Sequence, residues 1–372
     1  MFTYVVNSLP LFYSNIPGGA RVQYQSIDLY SEVYFSYLLF IIPLYFFTPR
    51  IKQRFFLRSH IPQYKSNTIY TICVFMLFFF LFFGISGESI ISSGGYGRGE
   101  VTSLGGFSEY YVVFTILGII YSGGKKIKKG LIVFLTFIIV LKFMLYGGRI
   151  ALVQMFLLFF LLFFDTNSRH FSLKTIIAII LLSFYILLVL ACLRTRFIYY
   201  IKNGSVLKLL YAPFENDFMK TLSFAFGNQN DIVYASSVFT QYAEKIGLFA
   251  RTKLFFYNCM ALFLPYSLLP KDANIVFSIQ KTFANTGGGT LISTYYYLFL
   301  GNFGSILIGS IIGLVIRRFY RVPKQSLLFV LIFMLFLYPR WFGYNQIALF
   351  KMTIFCYLFH LIVKKIIKYL RI

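Results

Sequence analysis

The stretch LKFMLYGGRIALVQMFLLFF, residues 141–160, is oily on both sides of a break made of Gly147, Gly148 and Arg149. Two apolar runs joined by so short a turn read as consecutive helices that both avoid water and reverse direction at a surface. The arms, 131–146 and 150–164, approach the roughly 17–25 residues that cross a bilayer.

The same pattern recurs on either side. Apolar runs at 29–47, 68–85, 107–121, 131–146, 150–164, 175–193, 291–316, 326–338 and 346–363 make nine candidate spans. Composition agrees: of 372 residues 59% are hydrophobic, 12% are charged and 48 are Phe, more apolar surface than one water-soluble core can hide. The expected fold class is an all-α polytopic membrane protein of about nine transmembrane helices, with one large extracytoplasmic loop between the sixth and the seventh. Four regions follow: an outward or interfacial segment 1–28, a first helical bundle of six spans 29–193, the large loop 194–290, and a second bundle of three spans with a basic cytoplasmic tail, 291–372. MFTYVVNSLPLFY at the start is too short to span and lacks the form of a signal peptide, so it lies in the interface or follows an upstream helix outside this sequence.

Charge tests this topology independently, because Lys and Arg near span ends favour the cytoplasm. Alternate connections hold Arg50 to Lys65, Lys125 to Lys129, Arg169 and Lys174, Arg317 to Lys324, and Lys364 to Arg371: 19 bases against one acid, Asp165. Ten of the eleven acidic residues lie on the opposite side or at its membrane edge. Basic clusters at an anionic leaflet account for the net charge of +24 and remove the case for nucleic acid. The four Cys and three His show no disulfide framework and no metal-ligand spacing, so neither a metal nor another cofactor is expected.

The loop 194–290 is too rich in aromatic and aliphatic residues to be disordered, and is expected to fold on the membrane surface. Within it, 254–269 forms either an interfacial helix or a pair of half-spans; Pro265, Pro270, Lys253 and Lys271 favour the interfacial form.

Against the positive-inside trend, Arg149, Arg194, Arg196, Arg251 and Arg340 face outward. A charge pinned at the membrane edge is costly. Gly147 and Gly148 let backbone approach a ligand, and Arg149 opens a helix whose first amides carry partial positive charge. A helix N-terminus with a forked cation is a receptor for phosphate. Snorkelling to lipid headgroups is the alternative reading. Arg194, Arg196 and Arg340 start from the same membrane level, and this convergence favours an anionic ligand at headgroup depth, such as the diphosphate of a lipid-linked substrate. Lys142 adds positive potential. Trp341, the only Trp, and Tyr344 follow Arg340 and could pack on sugar rings, or form part of the interfacial aromatic belt. Asp217, in PFENDF, is the candidate base, with solvation or capping as its ordinary role. Gly301, Gly304, Gly309 and Gly313 are spaced for close helix packing.

GGRIALVQMFLLFF, FLPYSLLPKDANIVF and GGGTLISTYYYLFLGNFGSILIGSIIGLVIRRFY, in this order, resemble the Wzy-type polymerases of bacterial O-antigen and capsule repeat units. The resemblance implies metal-independent glycosyl transfer, a polysaccharide polymerase reaction on the outer face of the plasma (inner) membrane. Its partners would be a polyprenyl-diphosphate-linked oligosaccharide donor and acceptor, the lipid bilayer, a chain-length regulator and a flippase. Arg149 with Arg194 or Arg196 would stabilise the departing diphosphate, Arg340 would grip a second one, and Gly147, Gly148, Arg251, Trp341 and Tyr344 would contribute to binding. An O-antigen ligase shares this architecture but is marked by an outward histidine, whereas His60, His170 and His360 all fall towards the cytoplasm. A lipid-linked oligosaccharide flippase would have more spans and short loops, and a sugar acyltransferase a differently placed membrane histidine.

Overall fold

The computed structural model describes residues 27–49, 61–84, 109–145, 149–163, 207–215, 218–264, 289–322, 324–343 and 346–370, with isolated positions between 181 and 279. The expected N-terminal segment, most of the sixth span, and Gly147, Gly148, Arg194, Arg196, Asp217 and Tyr344 lie outside the described residues.

Among the described residues the protein is all-helical, apart from an isolated bridge between Lys65 and Ser122. In chain order the helices are α1 (Ile27–Phe47), α2 (Asn67–Phe83), α3 (Tyr111–Ile120), α4 (Lys126–Leu145), α5 (Arg149–Phe163), α6 (Lys208–Glu215) and α7 (Phe218–Lys245). They continue with α8 (Leu248–Ala261), α9 (Ile292–Leu300), α10 (Asn302–Arg321), α11 (Gln325–Phe336), α12 (Tyr338–Gly343) and α13 (Ile347–Leu370). Ends follow from local chemistry. Ser66 caps α2 by accepting from the Ile69 amide at 3.5 Å, and α10 closes with Arg318 and Arg321 in its last turn, where cations suit the helix dipole.

Among the described residues two helices are long and apolar enough to cross a membrane, Asn302–Arg321 and Ile347–Ile366; shorter apolar helices are Ser31–Phe47, Asn67–Phe83, Tyr111–Ile120 and Ser326–Phe336. The outward faces are apolar too. Phe46 on α1 is 75% exposed, Phe75 on α2 68%, and Phe134, Ile311 and Leu361 on α4, α10 and α13 also stand outside the core. Soluble proteins rarely present so much apolar surface to water.

The expected first and second bundles interleave. Helix α1 packs most extensively on α10, α5 meets α11 and α12, and α3 meets α13. At the α1–α10 seam a Cβ on Gly309 would stand 2.2 Å from the Phe40 carbonyl oxygen, and one on Gly313 would stand 2.8 Å from Phe47 Cβ. Only glycine admits that approach, as the four-residue spacing anticipates. The ascending register, 309 with 40 and 313 with 47, makes the two helices parallel.

The run 291–316, expected as one span, is two helices. Gly301 has φ +62° and ψ −148°, a conformation open almost only to glycine, and the chain reverses there. Ser305 Oγ donates to the Ser293 carbonyl at 3.0 Å, and Gly304 backs onto the Tyr296 carbonyl, so α9 and α10 form an antiparallel hairpin. The described part of the large loop is helical as well: α7 packs on α1 and α9, and α8 packs on α9.

Candidate functional site

The first residues of α9 sit at the centre of a buried hydroxyl network. Thr290 Oγ1 lies 2.9 Å from Ser236 Oγ of α7 and 2.8 Å from Thr294 Oγ1, while the Thr290 carbonyl accepts from Gln346 Nε2. The Leu291 amide donates to Ser236 Oγ at 2.9 Å. Ser36 of α1 reaches Ser293 Oγ at 3.4 Å, and Tyr295 donates to Asn258 Oδ1 of α8. A buried helix start must find partners for its free amides and for any irregular backbone before it, and here neighbouring hydroxyls and amides supply them.

At the other end of α9, Arg251 of α8 donates from Nε to the Leu298 carbonyl at 3.0 Å and from Nη2 to the Tyr297 carbonyl at 2.8 Å. Its guanidinium stands 5.8 Å from the Tyr297 ring centre. The fork caps the negative end of α9 beside the Gly301 reversal. Close by, Glu32 of α1 neighbours Glu244 and Thr240, both on α7. Glu32 and Glu244 stand 212 residues apart, so no local pattern in the sequence pairs them.

The helices that carry two of the expected arginines meet. Arg149 is the first residue of α5, Arg340 lies within α12, and α5 packs against both α12 and α11. Gln154, one turn beyond Arg149, accepts from the Tyr111 hydroxyl at the start of α3 at 3.2 Å. Trp341 takes a packing position: it is 4% exposed, its Nε1 donates to the Met334 carbonyl at 2.9 Å, and its ring meets Tyr338 and Phe342. Lys142 donates to the Leu81 carbonyl at 2.7 Å, near the end of α2, so it serves a helix terminus.

At the opposite end of the bundle His360 is fully buried, with Nδ1 2.8 Å from the Tyr121 hydroxyl and the rings of Tyr64 and Phe329 around it. Among the described residues no three His, Cys, Asp or Glu side chains gather to hold a metal ion. No family model, curated protein or solved structure matches this chain.

Proposed function

We propose that the protein is an integral-membrane glycosyltransferase of about nine spans that polymerises polyprenyl-diphosphate-linked repeat units of a surface polysaccharide on the outer face of a bacterial plasma membrane. The observation that carries this reading is the packing of α5, which begins at Arg149, against α12, which contains Arg340, in a body whose outward faces are Phe, Leu and Ile. Long-range bonds add support by joining span ends that the charge pattern puts on one side. Tyr111 with Gln154 and Lys142 with Leu81 unite outer ends; Tyr121 with His360 and Tyr70 with the Lys128 carbonyl unite inner ends.

In the proposed reaction an acceptor hydroxyl oxygen bonds to the anomeric carbon of the growing glycan, the bond from that carbon to the phosphate oxygen breaks, and the lipid diphosphate departs with the electron pair. Arg149, with Arg194 or Arg196, stabilises the charge on the leaving diphosphate, and Arg340 holds the second lipid diphosphate. The hydroxyl proton passes to a carboxylate. Asp217 is one candidate, and Glu244, which neighbours Glu32, is another.

Deletion of the gene followed by a glycan ladder tests the class. A polymerase leaves single repeat units on the cell surface, whereas a flippase leaves none. For the residue, Arg149→Ala removes long chains, a loss of roughly two orders of magnitude in rate, or about 3 kcal/mol of barrier. Arg149→Lys recovers little because a point charge does not reproduce the fork. Long chains from Arg149→Ala at normal protein level would remove Arg149 from the reaction.

A further inference from the structure

Helix α8 carries an apolar stripe that no described part of the protein covers. Phe249, Phe256 and Phe263, the last just beyond the helix, are 87%, 63% and 69% exposed, and Met260 stands between the last two. Successive steps of seven, four and three residues keep all four on one helical face. The opposite face buries Leu254, Asn258 and Ala261 against the protein.

The direction of α8 is fixed by its bonds. Arg251 reaches Tyr297 and Leu298 near the end of α9, and Asn258 reaches Tyr295 closer to its start, so α8 runs antiparallel to α9. Since α9 is antiparallel to α10, α8 runs in the same sense as α10, one of the two described helices long and apolar enough to cross a membrane. A helix with that direction does not lie flat on a bilayer surface. Its far end is tied to the other crossing helix: Lys351 Nζ, within Ile347–Ile366, donates to the Leu264 carbonyl at 3.1 Å.

We propose that α8 descends into the outer leaflet beside α9 as a half-span, with its Phe249–Phe263 stripe against lipid acyl chains. At about 1.5 Å per residue, α8 is about 21 Å long and α9 about 14 Å, each too short to cross roughly 30 Å of hydrocarbon. The start of α9 then lies below the membrane surface. Irregular backbone persists at that depth only where protein groups satisfy it. The hydroxyl network meets this demand, with Gln346 on the Thr290 carbonyl and Ser236 on the Leu291 amide. Lys253, at the rim end of the stripe and 5.6 Å from the Tyr257 ring centre, has the long stem that lets an ammonium reach headgroups.

This inference rests on the membrane part of the proposed function and not on its chemistry. The test is spin-label accessibility in vesicles of phosphatidylethanolamine and phosphatidylglycerol, using the full chain with Cys192→Ala and Cys259→Ala and with the buried Cys73 and Cys356 retained. Labels at Phe256→Cys, Met260→Cys and Phe263→Cys are compared with one at Phe355→Cys on α13. The expected result is that all four collide more with oxygen than with a water-soluble nickel chelate. If 355 prefers oxygen while the α8 labels prefer nickel, the stripe faces water and the inference is overturned. Labels on α8 shielded from both reagents would mean a protein partner covers the stripe, which also overturns it. Should 355 itself prefer nickel, the membrane reading fails and takes this inference with it. Three positions on α8 guard against one variant that does not fold.

Discussion

At Gly309 a single methyl group decides whether α1 and α10 can touch. Its Cβ would fall 2.2 Å from a backbone oxygen, so Gly309→Ala forces the helices apart and costs about 1–3 kcal/mol by overpacking, read as a lower unfolding midpoint in detergent. Gly130, inside α4 with nothing within 4 Å of a Cβ, gives the contrast: Gly130→Ala leaves the midpoint unchanged or raises stability by up to about 1 kcal/mol. Arg251→Ala removes one donor from each of two carbonyls, leaving Tyr297 with the Gly301 amide, and lowers stability by about 1–3 kcal/mol; Arg251→Lys restores part of it. Midpoints of the three proteins side by side check this, and an unchanged Arg251→Ala would show that the cap carries no stability. The close approach at Gly309 was legible because small residues four apart on an apolar helix have one obvious use. Trp341 and Arg251 were not. Their partners, the carbonyls of Met334, Tyr297 and Leu298, are fixed only by tertiary packing.

The α9–α10 hairpin is where an element's hydropathy and its path diverge. Residues 291–316 read as one span because periodicity registers oiliness and is blind to a reversal of direction. The signal was present in Gly301 followed by Asn302, yet Gly is common in membrane helices and does not by itself break one. A cysteine pair at Ser293 and Ser305 checks the reversal. Oxidation or a short bifunctional reagent joins the two in the hairpin, whereas a continuous helix would hold them about 18 Å apart along its axis and leave them unlinked. Gly301→Val costs about 1–3 kcal/mol, the strain of a conformation closed to a branched side chain, and lowers the yield of that crosslink. The described helix at 67–83 nearly coincides with the expected run 68–85, while those at 126–145 and 347–370 extend past the expected 131–146 and 346–363 into their basic flanks.

For the molecule as a whole, the helical class and the apolar exterior were legible from composition, because an excess of Phe and Leu has nowhere to go but outward. The arrangement of helices was not, since bundles divided at the long loop turned out to share their seams. The charge pattern predicts that the basic end of α13 faces the cytoplasm, so a green fluorescent protein fused after Ile372 should fluoresce, and a dark, exported fusion would reverse the topology. The seam between α1 and α10 also has a consequence for biosynthesis. Phe40 and its partner Gly309 are 269 residues apart, and at ribosomal speeds of about 5–20 residues per second the gap lasts on the order of tens of seconds. During that interval the nascent α1 has left the translocon without its principal neighbour. Its glycine-fitting face must meanwhile rest against lipid or an insertion chaperone, and a ribosome stalled before α10 emerges would strand an incomplete bundle for quality-control proteolysis.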